Sequence, residues 1–199
     1  MSPRIRLARP ADAETVRAIY APFVESTPVS FELEAPSMAE MAERIETTLE
    51  RFPWLVCETA DGTILGYAAA SSLRSYGAFG WTVELSVYVA EDVRNGGIGT
   101  ALYTSLLEVL QLQGYRNAYA VMTLPNPASV RLHERVGFEP VATFQNVGYK
   151  DGEWHDVRWW FRQVAPCGDD PDPPTPLPDL VGSPALARAL EAGTARLDG

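Results

Sequence analysis

The chain has 199 residues, of which 46% are hydrophobic and 21% are charged, and these values predict one globular domain with ample material for a core. Its formal net charge of -10 at pH 7 argues against a nucleic-acid partner, because phosphate binding requires a basic face. No apolar run approaches the roughly 20 residues that span a bilayer, and the first residues are too charged for a signal peptide, so we expect a cytoplasmic protein without a membrane partner.

The first part of the chain predicts one strand followed by two helices. RIRLA, residues 4–8, alternates like a strand, and Asp12 is the expected N-cap of a helix with apolar residues every three or four positions. Ser37 and Glu40 form a capping box that opens the second helix. Next, WLVCETA and TILGYAAASSL flank the turn pair Asp61 and Gly62, and WTVELSVYV follows as a further strand. Together these three segments predict an antiparallel meander.

The second part predicts alternating helices and strands. A glycine cluster leads into a helix that begins near Ile98 and ends at Gly114. AYAVMTL reads as a strand, and the following helix has Asn126 as its N-cap and Gly137 just past its end. Two final strands form a hairpin turned at Asp151 and Gly152.

The composition changes after Ala165, where seven of the sixteen prolines and several aspartates are concentrated. We therefore predict a folded domain over residues 1–165 and a flexible, acidic tail over residues 166–199. The alternative is that residues 183–193 form a short helix docked on a neighbouring element.

The glycine cluster carries the main functional signal. A Walker loop is excluded because Thr100 and Ala101 follow Gly99 where a lysine is required, and a dinucleotide fingerprint lacks its third glycine. The remaining pattern is Arg-x-x-Gly-x-Gly, formed by Arg94, Gly97 and Gly99 before a helix. Free amides and the helix dipole would bind a pyrophosphate there, with Arg94 adding a charged contact. The alternative is a solvated turn before a core helix, without a ligand.

Cysteine and histidine are scarce. Cys57 lies in an apolar strand and Cys167 in the proline-rich tail, so neither a disulfide framework nor a zinc motif can be drawn, and we predict no metal cofactor. An acyl-enzyme intermediate on Cys57 is also disfavoured, because a cysteine buried in an apolar strand is a poor nucleophile.

Several motifs share their order and spacing with a known family. VYVAEDVRNGGIGTALY and NPASVRLHERVGF together resemble the GCN5-related N-acetyltransferase (GNAT) superfamily. WTVELSVYV, GYRNAYAVMTLPNPASVRLHERVGF and GYKDGEWHDVRWW, with SFELEAPS and RFPWLV, resemble its phosphinothricin and methionine sulfoximine N-acetyltransferases. The resemblance covers about Ile5 to Gln163. It implies an α/β (α+β) GNAT fold, with a mixed, mostly antiparallel central sheet flanked by about four helices, and a homodimer.

The resemblance also implies acetyl-CoA as the cosubstrate and assigns residues to it. The loop would hold the pyrophosphate, the strand before it would offer backbone groups to the pantetheine, and the later helix would face the pantetheine arm. The implied cofactor-binding residues are Val87, Tyr88, Val89, Arg94, Asn95, Gly96, Gly97, Ile98, Gly99, Thr100, Asn126 and Ser129. For Asn126, the alternative role is that of a helix cap, and both roles are compatible.

Two residues are the catalytic candidates. Glu84 lies in the middle of WTVELSVYV, and the resemblance implies a general base that takes a proton from the amine, directly or through water. The alternative is a solvent-facing glutamate. His133 occupies a position where the superfamily usually has the tyrosine that protonates the departing thiolate. The alternatives are a structural histidine and, as a weaker candidate acid, Tyr103.

The implied substrate is a small amino-acid analogue. The matching pocket residues are Phe31, Arg74, Tyr76, Phe79, Ser86 and Thr123. The sequence departs from the herbicide-resistance enzymes at Tyr76, where they have a second cation, and at Phe79, where they have a tyrosine. A single arginine pairs with one acid group, so methionine sulfoximine, methionine sulfone or an ordinary amino acid competes with phosphinothricin.

Other functions are open at the level of sequence. One is acetylation of protein N-termini or lysines, which the SFELEAPS segment and the extra hairpin disfavour because they should close the pocket over small ligands. Another is a non-catalytic CoA sensor, which the presence of both Glu84 and His133 disfavours.

In the last hairpin, His155 and Asp156 should face opposite ways, and Trp159 and Trp160 are expected at a subunit interface.

Overall fold

A computed structural model describes residues 3–94 and 96–197 of the chain. The strands are β1 (Arg4–Leu7), β2 (Trp54–Glu58), β3 (Ile64–Ser72), β4 (Thr82–Val89), β5 (Asn117–Leu124), β6 (Glu139–Lys150) and β7 (Glu153–Gln163). The helices are α1 (Ala13–Glu25), α2 (Met38–Leu49), α3 (Ile98–Gln113), α4 (Pro127–Arg135) and α5 (Pro184–Thr194). No helix within the described ranges is long and apolar enough to cross a membrane.

The seven strands form one sheet in the order β1-β2-β3-β4-β5-β7-β6. Every neighbouring pair is antiparallel except β4 and β5, which run parallel. This topology confirms the predicted mixed, mostly antiparallel sheet. The described residues contain five helices rather than about four, and the additional one is α5.

Alternation of side chains along the strands produces a core on each face of the sheet. On one face, Leu85 of β4 belongs to the cluster that contains Leu102 and Leu106 of α3. On the other face, Tyr67 of β3 belongs to the cluster that contains Val16 of α1 and residues of α2. Consecutive residues of a strand point to opposite faces, so β4 supplies side chains to both cores.

Local capping signals explain most helix boundaries. Ser37 Oγ accepts a hydrogen bond from the Glu40 amide, and Glu40 Oε2 accepts one from the Ser37 amide, as the capping box predicts. Asn126 Oδ1 accepts a hydrogen bond from the Ser129 amide at 3.1 Å. Asp12 is the N-cap residue of α1, as predicted, but its carboxylate forms an ion pair with Arg6 and makes no capping hydrogen bond to this helix.

Strands β4 and β5 diverge after a short paired stretch. Their register runs from Thr82 opposite Asn117 to Leu85 opposite Ala120 and then stops, although both strands continue. Beyond this point β4 keeps its pairing with β3, and β5 keeps its pairing with β7. The result is a wedge-shaped opening in the sheet between residues 86–89 and 121–124, of the kind that frees backbone groups from the ladder.

The C-terminal segment differs from the predicted flexible tail. Helix α5 begins at Ser183, whose Oγ accepts a hydrogen bond from the Leu186 amide, and it packs against α3 and β1. Leu177 and Leu186 are buried in a small cluster with Val109 of α3. The bias towards proline and aspartate therefore misled the prediction, because a few well-spaced apolar residues are enough to dock this segment.

Candidate active site

A cleft of about 380 Å³ lies between the end of β4, the glycine loop and α4. Its walls include most of the predicted cofactor-binding residues: Val87, Tyr88, Val89, Arg94, Gly97, Ile98, Gly99, Thr100, Asn126 and Ser129. Gly96 is exposed and is not among the lining residues. Asn95 lies outside the described residues. The structure thus brings together three segments that are distant in sequence.

The glycine loop forms an open helix N-terminus at the cleft. Gly97 has φ +80° and ψ -6°, a left-handed conformation that favours glycine, and it is the N-cap of α3. The amides that follow it belong to the first turn, where helical N–H groups lack partners within the helix. At Gly99, a Cβ would lie 3.0 Å from Leu132 Cδ2, so glycine allows α4 to approach α3 closely. This arrangement is suited to a phosphate group.

Three arginines line the same cleft. Arg94 was predicted from the loop motif, and its guanidinium lies 5.0 Å from the ring centroid of Phe23 and 3.7 Å from a Glu91 oxygen. Arg131 and Arg135 of α4 also contribute to the walls, and sequence reasoning missed them. Their spacing of four residues, which places both on one side of α4, was the available signal. The cleft is thus a basic region in a protein with net charge -10.

Glu84 is half-buried at the point where the strands diverge. It pairs with Ser71 of β3 and Tyr119 of β5, and the pairing with β5 ends one residue later, at Leu85. Alternation directs its side chain to the face covered by α1 and α2. Burial raises the pKa of the Glu84 carboxyl above its ordinary value, and the Arg74 guanidinium opposes part of this rise. A carboxylate with a raised pKa is a better proton acceptor.

His133 lies in the core on the opposite face and does not line the cleft. Its Nδ1 donates a hydrogen bond to the Ser129 carbonyl oxygen at 2.8 Å, and its Nε2 is 3.3 Å from the Tyr103 hydroxyl, which donates to it. The ring packs beside Phe138 and Trp160. Burial lowers the pKa of His133, so the neutral imidazole is favoured. His133 therefore holds Ser129 through this hydrogen bond, and Ser129 itself lines the cleft.

The predicted substrate residues are not among the residues that line this cleft. Arg74 lies 5.7 Å from the ring centroid of Trp159, on the same side of the sheet as Glu84. Tyr76 and Phe79 are exposed and lie beside each other before β4, with ring centroids 6.4 Å apart. The other three predicted residues are Phe31 in the α1–α2 connection, Ser86 on β4 and Thr123 on β5. Ser86 and Thr123 lie on the two arms of the wedge.

Phe31 is held against the last hairpin by close packing. Its ring lies directly over Gly148 of β6, where a Cβ would overlap it, and its centroid is 6.2 Å from that of His155. Lys150 anchors the same connection: its buried Nζ donates to the carbonyl oxygens of Val24, Thr27 and Ser30 at 2.5, 3.0 and 2.7 Å. Sequence reasoning missed Lys150, because its partners lie more than 100 positions away.

The adjacent tryptophans Trp159 and Trp160 of β7 do not form a joint interface patch. Trp160 is 1% exposed and belongs to the main core, so its predicted place at a subunit interface is wrong. Trp159 faces the other side of the sheet, where it packs against Arg74. Because consecutive side chains of a strand point to opposite faces of the sheet, these two neighbouring rings have unrelated roles.

Comparison with known proteins agrees with this geometry. The acetyltransferase (GNAT) domain family matches residues 5–159. A phosphinothricin N-acetyltransferase of Streptomyces viridochromogenes is 39% identical over 173 residues, which cover 87% of this chain and 92% of that protein. An L-methionine sulfoximine/L-methionine sulfone acetyltransferase of Pseudomonas aeruginosa is 34% identical over 172 residues, which cover 86% of this chain and 100% of that protein.

A solved structure agrees as well. It is the crystal structure of a GNAT superfamily phosphinothricin acetyltransferase from Sinorhizobium meliloti in complex with AcCoA. It superposes with a TM-score of 0.81 at 33% sequence identity, covering 87% of this chain and 94% of that chain. The resemblance inferred from the motifs is thereby confirmed. The chain belongs to the GNAT family, and it is an acetyl-CoA-dependent N-acetyltransferase.

Proposed function

We propose that this enzyme transfers the acetyl group of acetyl-CoA to the primary amine of a small amino-acid-like substrate. The observation that carries the proposal is the position of Glu84, a half-buried carboxylate at the divergence of β4 and β5. The names of the relatives, which act on phosphinothricin, methionine sulfoximine and methionine sulfone, support this class of substrate.

Acetyl-CoA would occupy the cleft at the N-terminus of α3. The first-turn amides after Gly97 and the guanidinium of Arg94 would hold its pyrophosphate. The backbone of Val87 and Val89, which has no partner on β5, is available to the pantetheine. Asn126 uses Oδ1 for the helix cap and keeps its amide nitrogen for the same arm. The thioester supplies an activated acetyl group, and these residues orient it.

Glu84 would act as the general base. The substrate amine is protonated near neutral pH, so it must lose a proton before it attacks the thioester carbonyl carbon, and the Glu84 carboxylate accepts that proton. Attack is direct, in a ternary complex: the C–N bond forms, the C–S bond breaks, and CoA leaves as a thiolate that takes up the second amine proton, directly or through water. An acyl-enzyme on Cys57 is disfavoured, because burial raises the pKa of its thiol to about 11 and the side chain is inaccessible.

We assign His133 the role of positioning Ser129 and not the role of a general acid. Its only N–H is donated to the Ser129 carbonyl oxygen, and its lowered pKa leaves no second proton to give near pH 7. Through this bond it would fix the wall of the cleft that faces the pantetheine.

Arg74 would select the substrate carboxylate. It is the cation of the predicted pocket, its guanidinium is held over Trp159, and one guanidinium forms a bidentate pair with one acid group. Tyr76, at the position of a second cation in the herbicide-resistance enzymes, is 71% exposed and uncharged. We therefore favour methionine sulfoximine or methionine sulfone over the doubly anionic phosphinothricin.

The test is thiol release from acetyl-CoA with phosphinothricin, methionine sulfoximine, methionine sulfone and ordinary amino acids as acceptors. We expect kcat/KM for the sulfoximine or sulfone to exceed that for phosphinothricin by at least about tenfold, the equivalent of about 1.4 kcal/mol. In a Tyr76→Arg variant the preference for phosphinothricin should increase. Equal use of phosphinothricin and the sulfoximine or sulfone by the wild-type enzyme would contradict the preference inferred from Tyr76, and absence of turnover with the whole panel would refute the proposed function.

We also propose a homodimer formed through β6. This strand lies at the edge of the sheet and is exposed along nearly its whole length, with Val141, Phe144 and Val147 each at least 50% exposed. An unpaired edge strand with apolar side chains is a template for association. Light scattering should give the mass of two chains for the wild type and of one chain for Phe144→Glu, with Glu139→Gln as a control on the same strand. A wild-type mass of one chain would contradict the dimer.

A further inference from the structure

Helix α5 contacts the helix that carries the glycine loop. It runs antiparallel to α3: Leu186, near its start, packs with Val109, and Gly193, near its end, lies against Ala101 in the first turns of α3. The family match ends at residue 159, so this contact involves a part of the chain that lies beyond the matched domain.

Gly193 makes the contact unusually close. A Cβ at this position would overlap the carbonyl oxygen of Ala101 and the hydroxyl of Ser105, and it would lie 2.7 Å from Ile5 Cδ1. The close approach of the two helix backbones gives a physical reason for glycine here.

The polar contacts across this interface are fully matched. Ser105 of α3 is completely buried, and both of its hydrogen bonds go to α5: its Oγ donates to the Leu190 carbonyl at 2.7 Å and accepts from the Gly193 amide at 3.1 Å. Thr194 Oγ1 accepts a hydrogen bond from the Ile5 amide at 3.0 Å, which ties the end of α5 to β1. The end of α5 therefore has a fixed position relative to the sheet.

The first turns of α3 are the part that needs such support. The Ala101 amide donates to the Gly97 carbonyl at 3.0 Å, so the residue that touches Gly193 also closes the first turn after the loop. On the other side of this turn, Gly97, Gly99 and Thr100 line the cleft. A shift of α3 away from α5 would displace the amides that face the ligand.

We propose that α5 is a brace for acetyl-CoA binding, with Gly193 and Ser105 as positioning residues that set the first turns of α3. This inference rests on the proposed function, because it assumes that acetyl-CoA binds at the loop. The expected consequence of disturbing the brace is weaker binding of CoA without weaker binding of the amine.

The test uses the full-length chain and isothermal titration calorimetry with CoA. Gly193→Ala should raise the Kd of CoA about tenfold, since a displacement of a binding element of order 1 Å has effects of this size or larger. Ser105→Ala removes the two hydrogen bonds without adding atoms, so it should change the Kd in the same direction by a smaller factor. The matched control is Gly168→Ala, because a Cβ at Gly168 meets no atom within 4 Å.

Steady-state kinetics and thermal unfolding separate the outcomes. The brace predicts a raised KM for acetyl-CoA and an unchanged KM for the amine in both variants. If the wild type binds no CoA, the proposed function fails. If the wild type binds CoA and the variants bind it equally well, with only a lower Tm, α5 is merely structural and the inference is wrong. Should Gly193→Ala not fold, Ser105→Ala decides alone.

Discussion

Replacement of Glu84 by glutamine is expected to lower kcat by about 10²- to 10⁴-fold, the usual contribution of a general base. Glutamine has nearly the same shape as glutamate but accepts no proton from the amine, so the geometry of the wedge between β4 and β5 should persist. The Kd of CoA, measured by calorimetry, should not change, because Glu84 does not line the cleft. An unchanged kcat would remove Glu84 from the reaction.

The pH dependence of kcat follows from the same carboxylate. Only the ionised form of Glu84 accepts a proton, so kcat should fall as the pH falls through its pKa. Burial raises this pKa, and the acidic limb should therefore lie above the range of an exposed glutamate. The Arg74 guanidinium opposes the rise, so Arg74→Leu should move the limb to higher pH. In Glu84→Gln the limb should disappear from the residual rate, whereas His133→Gln should retain it if His133 only positions Ser129.

The stability of the Glu84→Gln variant provides an independent check. A raised pKa means that the folded state disfavours the ionised carboxylate, and this cost is present at every pH above the folded-state pKa. Neutralising the group should therefore increase Tm at pH 7, by about 2 to 4 °C for each kcal/mol in a chain of this length.

Glu58→Gln is the matched control, and we expect the opposite sign. Burial alone would raise the pKa of Glu58, but hydrogen bonds from Arg4 and Arg6 outweigh it and lower the pKa. The resulting stability is present above the unfolded-state pKa and is lost as the pH falls through the folded-state pKa. At pH 7 the substitution should lower Tm. Shifts of the same sign in both variants would contradict this account of the two carboxylates.

Lys150→Met is expected to reduce the free energy of unfolding by about 3 kcal/mol, because three carbonyl oxygens, two of them in buried hydrogen bonds, lose their donor. The corresponding decrease in Tm is about 6 to 12 °C. Methionine matches the length of lysine, so the loss of hydrogen bonds rather than of volume is tested. Calorimetric or circular dichroism melting curves give the measurement.

The same variant should also raise the KM for the amine. Lys150 joins the α1–α2 connection to the last hairpin, and this connection carries Phe31 of the predicted substrate pocket. Arg158→Met on β7 is the control, since it removes a cation at a solvent-exposed hydrogen bond and should change Tm by no more than about 2 °C. Equal effects of the two substitutions would show that Lys150 has no special role.

The parts of the protein that local signals specify were predictable. The start of α3 at Gly97 and the cap at Asn126 were predicted because each depends on residues a few positions apart. Asp12 was correctly placed at the N-cap of α1, but its side chain does not cap the helix because Arg6, on the preceding strand, competes for its carboxylate. Lys150 was missed because its three acceptors are distant in the chain. The docked helix α5 was only the alternative prediction, because the few buried apolar residues of this segment are diluted among prolines.

The candidate site shows the same division between features that depend on residues close in sequence and features that depend on contacts between distant residues. The predicted cofactor loop is continuous in sequence, and Gly97 and Gly99 line the cleft, whereas Arg131 and Arg135 reach it only because α4 packs beside α3. His133 was placed near the reaction from the family pattern, and only the fold reveals that Tyr103 and Trp160 surround its ring. Contacts between elements, and not the elements themselves, were beyond the reach of the sequence.

Burial of Lys150 has a chemical consequence for an enzyme that handles an activated thioester. Lys150 is the sole lysine of the chain, all other cationic side chains apart from histidine being arginines, and it is 5% exposed. Thioesters acylate accessible, unprotonated amines, whereas guanidinium groups stay protonated and do not react. The folded enzyme therefore exposes no lysine side chain to the thioester, so it does not inactivate itself by acylation of a lysine.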